Sequence, residues 1–215
     1  MPDDVHLCPG LQRRQSERGG QSEQGGDSDA ARLTSLLLNE PWFALALGAV
    51  AASGLPDAWI GAGAVRDVVW GQLYGEFSPD AVRDVDVAYF DPADLSPERD
   101  VKAQETLAVL AGLPWEATNQ AAVHTWYHRY FGGDPVEPFG CVHDAIATWP
   151  ETATCVGVRR RAGVVEVCAP HGLADLLGGV WRVNPVRVTP EISRARLARQ
   201  RAAARWPGVT VVLPG

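Results

Sequence analysis

Two aspartates, Asp84 and Asp86, stand two residues apart in Arg83-Asp84-Val85-Asp86-Val87. On a strand this spacing turns both side chains to one face. Carboxylates that close repel one another unless a cation lies between them. Their hard oxygens suit magnesium, which keeps water and phosphate oxygens in its shell. Two such ions can clamp the attacking and leaving oxygens of an in-line displacement. The same D-x-D is also compatible with a solvated strand face on which Asp84 pairs with Arg83. Upstream lies Gly61-Ala62-Gly63-Ala64-Val65-Arg66-Asp67, a glycine turn between an apolar run and a helical pattern. Glycines let a backbone approach a phosphate, and the amides that open a helix then point at it. Arg66, one turn in, offers a fork of donors. An ordinary strand-to-helix turn would use the same glycines. A phosphate cradle followed by a carboxylate pair is what an enzyme needs to hold a metal-bound nucleoside triphosphate.

The surrounding pattern supplies elements to position these groups. Apolar periodicity predicts a helix from Ala31 to about Ser53, with Pro41 marking a break or a second start. Ala58-Trp59-Ile60 reads as a short buried strand and Ala64 to about Leu73 as a helix. Val85 to Phe90 alternates as a strand. Ser96-Pro97-Glu98 is a helix start with a capping serine, and that helix runs to about Ala111. Trp115 to Thr118 is a strand leading into a helix over Gln120 to Tyr130. Phe131 to Pro138 is a loop, and His143 to Thr148 a short helix. Strands at Ala153 to Arg160 and Val164 to Cys168 are joined by an Arg161-Ala162-Gly163 hairpin turn. Leu173 to Leu177 is a short helix, and Thr189-Pro190-Glu191 opens a last one ending near Trp206-Pro207. Hairpin and crossover connections together imply an α/β (α+β) domain. Residues 1–30 are almost free of large apolar groups after Leu11 and read as a disordered tail before a single domain over 31–215.

Composition narrows the function classes. A net charge of −7 argues against a protein that simply coats nucleic acid. The four cysteines form no C-x-x-C and suggest no disulfide framework, so reduced thiols are expected. Cys141-x-His143 with Cys168-x-x-His171 has an uncommon spacing for zinc. The start lacks the basic and apolar regions of a signal peptide, and no apolar run is long enough to span a bilayer. A cytoplasmic protein without a membrane partner is the expectation.

In this order and spacing the motifs resemble the head of the polymerase-β-type nucleotidyltransferase superfamily, as in CCA-adding enzymes and poly(A) polymerases. More narrowly, the chain resembles a small bacterial family of stand-alone nucleotidyltransferase-like proteins. Further matches are Asp86 to Asp91, Asn119-Gln120-Ala121, His124 with Trp126, Trp149 to Thr154, Ala169 to Leu176 and Trp206-Pro207. The resemblance covers roughly Leu33 to Val211. It implies a small mixed sheet flanked by helices, a nucleoside triphosphate as substrate, and magnesium or manganese. It implies that Asp84 and Asp86 bind metal and that Gly61, Ala62, Gly63 and Arg66 grip the triphosphate. It also implies a third carboxylate on a later strand, which would bind metal and help activate the attacking hydroxyl. Glu166 in Val164-Val165-Glu166-Val167 is the candidate, since a mid-strand charge among apolar neighbours needs a partner. A glutamate on the solvent face of a hairpin is the alternative, and Asp175 is a rival. At Ala122 and Val123 the chain departs from the small family's usual arginine and methionine.

Asn119 and His124 are candidate acceptor contacts, although a capping asparagine and a structural histidine read equally well. Five arginines on the last helix (Arg194, Arg196, Arg199, Arg201 and Arg205) include three, Arg194, Arg201 and Arg205, at spacings that share a face. Two classes of function follow. One is a metal-dependent enzyme that moves a nucleoside monophosphate from a triphosphate to an acceptor hydroxyl and releases pyrophosphate. The other is a catalytically silent nucleotide-binding or partner-binding module on the same fold. A small molecule, a protein side chain and an RNA end all stay open as acceptor.

Overall fold

The acidic strand lies inside a five-stranded sheet whose strands run in the order Trp115–Asn119, Val85–Tyr89, Trp59–Gly61, Gly157–Arg161 and Val164–Cys168. The structure is a computed structural model that describes residues 23–75, 78–79, 82–131, 135–186 and 188–212. Helices α1 (Glu23–Leu38) and α2 (Pro41–Ala52) lead into β1 (Trp59–Gly61), which passes directly into α3 (Ala62–Tyr74). Then come β2 (Val85–Tyr89), α4 (Pro97–Leu110), β3 (Trp115–Asn119) and α5 (Val123–Phe131). The short α6 (Val142–Ile146) precedes the hairpin β4 (Gly157–Arg161) and β5 (Val164–Cys168). The chain closes with α7 (Ala174–Leu177), β6 (Val180–Arg182), α8 (Pro190–Arg199), α9 (Ala202–Arg205) and β7 (Thr210–Val212).

β2 and β3 are parallel, with Asp86 opposite Glu116, and α4 supplies the crossover that a parallel pair requires. The other pairings in this sheet are antiparallel. Alternation sorts the β2 side chains. Val85, Val87 and Tyr89 enter the main core with Ile60, Val158 and the inner faces of α1, α2 and α3. Asp86 and Ala88 face the other side, where Trp59, Ile146, Cys155 and Cys168 form a smaller apolar cluster. One face of the sheet is thus sealed by helices, and the acidic end of the other is left open.

Several sequence expectations shift. Pro41 does start a second helix, but the first begins at Glu23, ahead of Ala31. Residues 1–22 lie outside the described residues. β4 begins at Gly157 because Thr152–Thr154 coil into a 3₁₀ turn. A parallel pair, β6 with β7, was not foreseen. Its strands are three residues each, too short to show a period, and they meet across the whole C-terminal segment. The last helix breaks at Arg201, whose φ of 52° is left-handed. Cys141 is disulfide-bonded, which corrects the expectation of reduced thiols throughout. Cys155 and Cys168 are free and buried. Among the described residues no single helix is long and apolar enough to cross a membrane.

Candidate active site

The turn after β1 is shaped by contacts inside the protein. A Cβ on Gly61 would stand 2.6 Å from the Trp149 indole and 2.8 Å from the Val156 carbonyl oxygen, so only glycine fits. The left-handed residue here is Ala62, at φ 49°, a conformation that costs an L-residue roughly 1–2 kcal/mol. The turn delivers the Gly63 amide to Asp86, whose Oδ2 accepts its N–H at 3.1 Å. A Cβ on Gly63 would stand 3.3 Å from that oxygen and 4.0 Å from Asp84 Oδ1. The glycine turn and the D-x-D therefore form one structure, in which a helix-opening amide positions a carboxylate.

Asp84 and Asp86 line a cleft of about 580 Å³ together with Gly63, Arg66, Glu116 and Arg199. Burial, the Asp84 charge and the Glu116 charge push the Asp86 carboxyl from 3.8 up to about 7. Burial and Asp84 also raise Glu116 above its ordinary range. A cluster of carboxylates of this kind, with no ion pair on Asp86 among the described residues, marks the cleft as a candidate functional site. Among the described residues, no group of three or more His, Cys, Asp or Glu side chains is arranged to hold an ion by itself. The Asp84 and Asp86 oxygens fit the other arrangement, a magnesium ion that completes its shell with water and phosphate oxygens.

Glu166 does not join this pair. It shares a sheet face with Asp86, but β5 is three strands away from β2, roughly 14 Å at the usual strand spacing. Its carboxylate accepts from Arg159 Nε at 2.6 Å, and that guanidinium lies 4.1 Å over the Trp59 ring. The mid-strand charge is explained by this ion pair. Asp175, the rival, accepts from Thr152 and Arg182. The third carboxylate beside the aspartates is Glu116. It escapes notice in the sequence because it stands between Trp115 and Ala117 as the one acidic residue of its strand, with no motif; only the parallel register sets it opposite Asp86.

Arg66 also differs from expectation. Its Nε and Nη2 both donate to Asp67 Oδ1, at 2.9 and 2.7 Å. The group is 3% exposed and lies 4.7 Å over Trp206 and 5.6 Å over Trp181. Asp67 in turn accepts from Arg205 at 2.7 Å. Arg66 edges the cleft, but its Nε and Nη2 are taken up by Asp67, the residue through which Arg205 ties α3 to the C-terminal segment. Asn119 is 1% exposed. Its side chain accepts from the Asp91 and Ala121 amides and donates to the Asp91 and Asp94 carbonyls, so it is a structural clamp. His124 is half-buried on α5 and lines neither this cleft nor its neighbour.

Two arginines of α8, Arg196 and Arg199, also line the cleft, beside Arg66, Arg83 and Arg205. Arg196 and Arg199 lie on one helical face with Ile192 and Ala195, and all four line a groove of about 680 Å³ beside the acidic cleft. Arg196 is held by the buried Glu151 at 2.7 and 3.1 Å. Arg199 is exposed and makes no ion pair within the protein among the described residues. The face formed by Arg194, Arg201 and Arg205 does not exist as such, because the break at Arg201 swings Arg205 inward to Asp67 while Arg194 pairs with Glu191.

A family model described as "Nucleotidyltransferase" matches residues 48–211. Among solved structures, one described by NMR as revealing a CCA-adding enzyme head domain is similar, with a TM-score of 0.70 and 26% identity. The match covers 85% of this chain and 95% of that one. No curated protein matches. The fold expected from the motifs, a small mixed sheet in a polymerase-β-type nucleotidyltransferase head, is the fold observed.

Proposed function

The chain belongs to the nucleotidyltransferase family, and on that premise we propose that it moves a nucleoside monophosphate from a nucleoside triphosphate to an acceptor hydroxyl, releasing pyrophosphate. The observation that carries this reading is Asp86, held by the Gly63 amide beside Asp84 and Glu116 at the floor of an open cleft. Asp84 and Asp86 would hold magnesium or manganese. Bound there, the metal supplies neutralisation of charge on the triphosphate and on the departing pyrophosphate. Arg199 has uncompensated donors at the cleft wall and binds phosphate oxygens from the opposite side. The bond from the acceptor oxygen to the α-phosphorus forms as the bond to the pyrophosphate oxygen breaks. Glu116 takes the acceptor's proton, the role first expected of Glu166; its raised proton affinity suits a general base. Catalysis of this kind consists of positioning and charge stabilisation, and the fixed Gly63–Asp86 contact provides the first of these.

The test is incubation of purified protein and cell lysate with each α-labelled triphosphate and magnesium, comparing wild type with Asp84→Ala/Asp86→Ala. Label transferred to an acceptor by wild type and lost in the double variant is expected. Equal labelling by both refutes the reading. Binding of triphosphate without labelling in either identifies a catalytically silent module.

A further inference from the structure

The groove beside the acidic cleft has a different chemistry. Trp126, Tyr127 and Tyr130 of α5 form one wall, with Phe139 nearby, and Ile192 and Ala195 of α8 form the other. Trp126 meets Tyr130 edge-on at 5.9 Å and 78°. The groove and the cleft share Thr118, Gln120, Trp149, Pro150, Arg196 and Arg199 as walls, so they are two lobes of one depression. At about 680 Å³ the groove has the size of an ordinary small-molecule pocket. Of the two cations that line it, Arg196 is already neutralised by Glu151. Arg199 stands where the lobes meet. A second polyanion would find little to bind, whereas an uncharged planar body would find aromatic and aliphatic walls.

Resting on the reading above, we propose that this groove is the nucleobase and ribose subsite for the nucleotide whose triphosphate occupies the acidic cleft, with Gln120 reading the edge of the base. Gln120 is 7% exposed and opens the 3₁₀ turn Gln120–Ala122, which Asn119 caps through the Ala121 amide. Its Nε2 donates to the Thr118 carbonyl at 3.3 Å. The carboxamide is thus held in place at the junction of the lobes, with a donor and an acceptor to offer a base edge. Asn119 gains its function here as a positioning residue for its neighbour. Stacking on aromatic walls tolerates any base, and hydrogen bonding by Gln120 adds preference among them.

The test is calorimetric titration of the full chain in magnesium with ATP, GTP, CTP, UTP and inorganic triphosphate. Wild type is compared with Tyr130→Ala, Ile192→Asp, Gln120→Leu and Asp84→Asn/Asp86→Asn, each checked for folding by circular dichroism. Tyr130 and Ile192 are 78% and 42% exposed, so their replacement is compatible with the fold. Nucleoside triphosphates should bind more tightly than inorganic triphosphate. Tyr130→Ala and Ile192→Asp should each reduce that advantage, roughly tenfold or more for the loss of a stacked wall, and leave triphosphate binding unchanged. Gln120→Leu should alter the ranking of the four nucleotides. Equal binding of triphosphate and nucleotides, or nucleotide binding indifferent to all three groove variants, overturns the inference; an acceptor body seated in the groove would give the latter. Triphosphate binding that survives Asp84→Asn/Asp86→Asn, or the absence of all binding, refutes instead the reading of the acidic cleft.

Discussion

Asp86→Asn should make the metal-free protein more stable at neutral pH. The Asp86 carboxyl has its ordinary value of 3.8 in the unfolded chain and about 7 in the folded one. Because the raised value belongs to the folded state, the folded state binds more protons than the unfolded one between these limits. Stability therefore falls as pH rises through the window and levels off above it. At about 1.4 kcal/mol per unit, the fall from pH 5 to pH 8 is roughly 3 kcal/mol. Asparagine keeps an oxygen for the Gly63 N–H and removes the charge. The assay is urea unfolding in EDTA at both pH values. Wild type should lose roughly 3 kcal/mol across that range, and the variant should lose about 1 kcal/mol or less. The difference between the two proteins isolates Asp86 from other titrating groups. Magnesium at pH 8 should restore stability to wild type alone, by about 2.7 kcal/mol at a hundredfold excess over its dissociation constant. A wild-type stability that is flat from pH 5 to pH 8, or a variant that falls in parallel with it, would refute the claim that the fold holds Asp86 at electrostatic cost.

Three further outcomes follow from the same geometry. Glu166→Gln should leave nucleotidyl transfer within about twofold of wild type and cost less than about 1 kcal/mol in urea, because it alters a partly exposed ion pair outside the cleft. Thermal unfolding should separate the two residues of the turn. Ala62→Gly relaxes a positive φ and should gain about 1 kcal/mol, whereas Gly61→Ala drives a methyl into Trp149 and Val156 and should lose more than about 2 kcal/mol. Steady-state kinetics of Arg199→Ala should show KM for the triphosphate raised roughly tenfold or more, the value of one charge-assisted contact, while Arg194→Ala should leave it unchanged.

Elements with strong local signals were legible along the chain. The Ser96-Pro97 start of α4, the Arg161-Ala162-Gly163 hairpin and the alternation of β2 all depend on neighbours a few residues apart. The D-x-D needed only the two-residue period of a strand to place both aspartates on one face. The glycine turn was found by the same local logic, although Gly61 is required by the Trp149 ring rather than by a phosphate. The short β6 and β7 were not legible, since three residues show no period and their partners lie across the C-terminal segment.

The charged residues divide along the same line. Sequence alone identified which side chains carry charge and which segment they occupy. It did not show where each charge is spent, because ion pairing is a matter of distance across the fold. Glu166 and Arg66 have the residue types a nucleotidyl-transfer site needs, yet Arg159 and Asp67 take them up. Glu116 and Arg199 have unremarkable surroundings in the chain, yet the β2–β3 register and the packing of α8 bring them to the cleft. The pair Asp84 and Asp86 was determined by the chain itself. Its third carboxylate, its arginine and the aromatic lobe beside it were decided by tertiary structure, because each comes from a different element and meets the others only when the sheet closes.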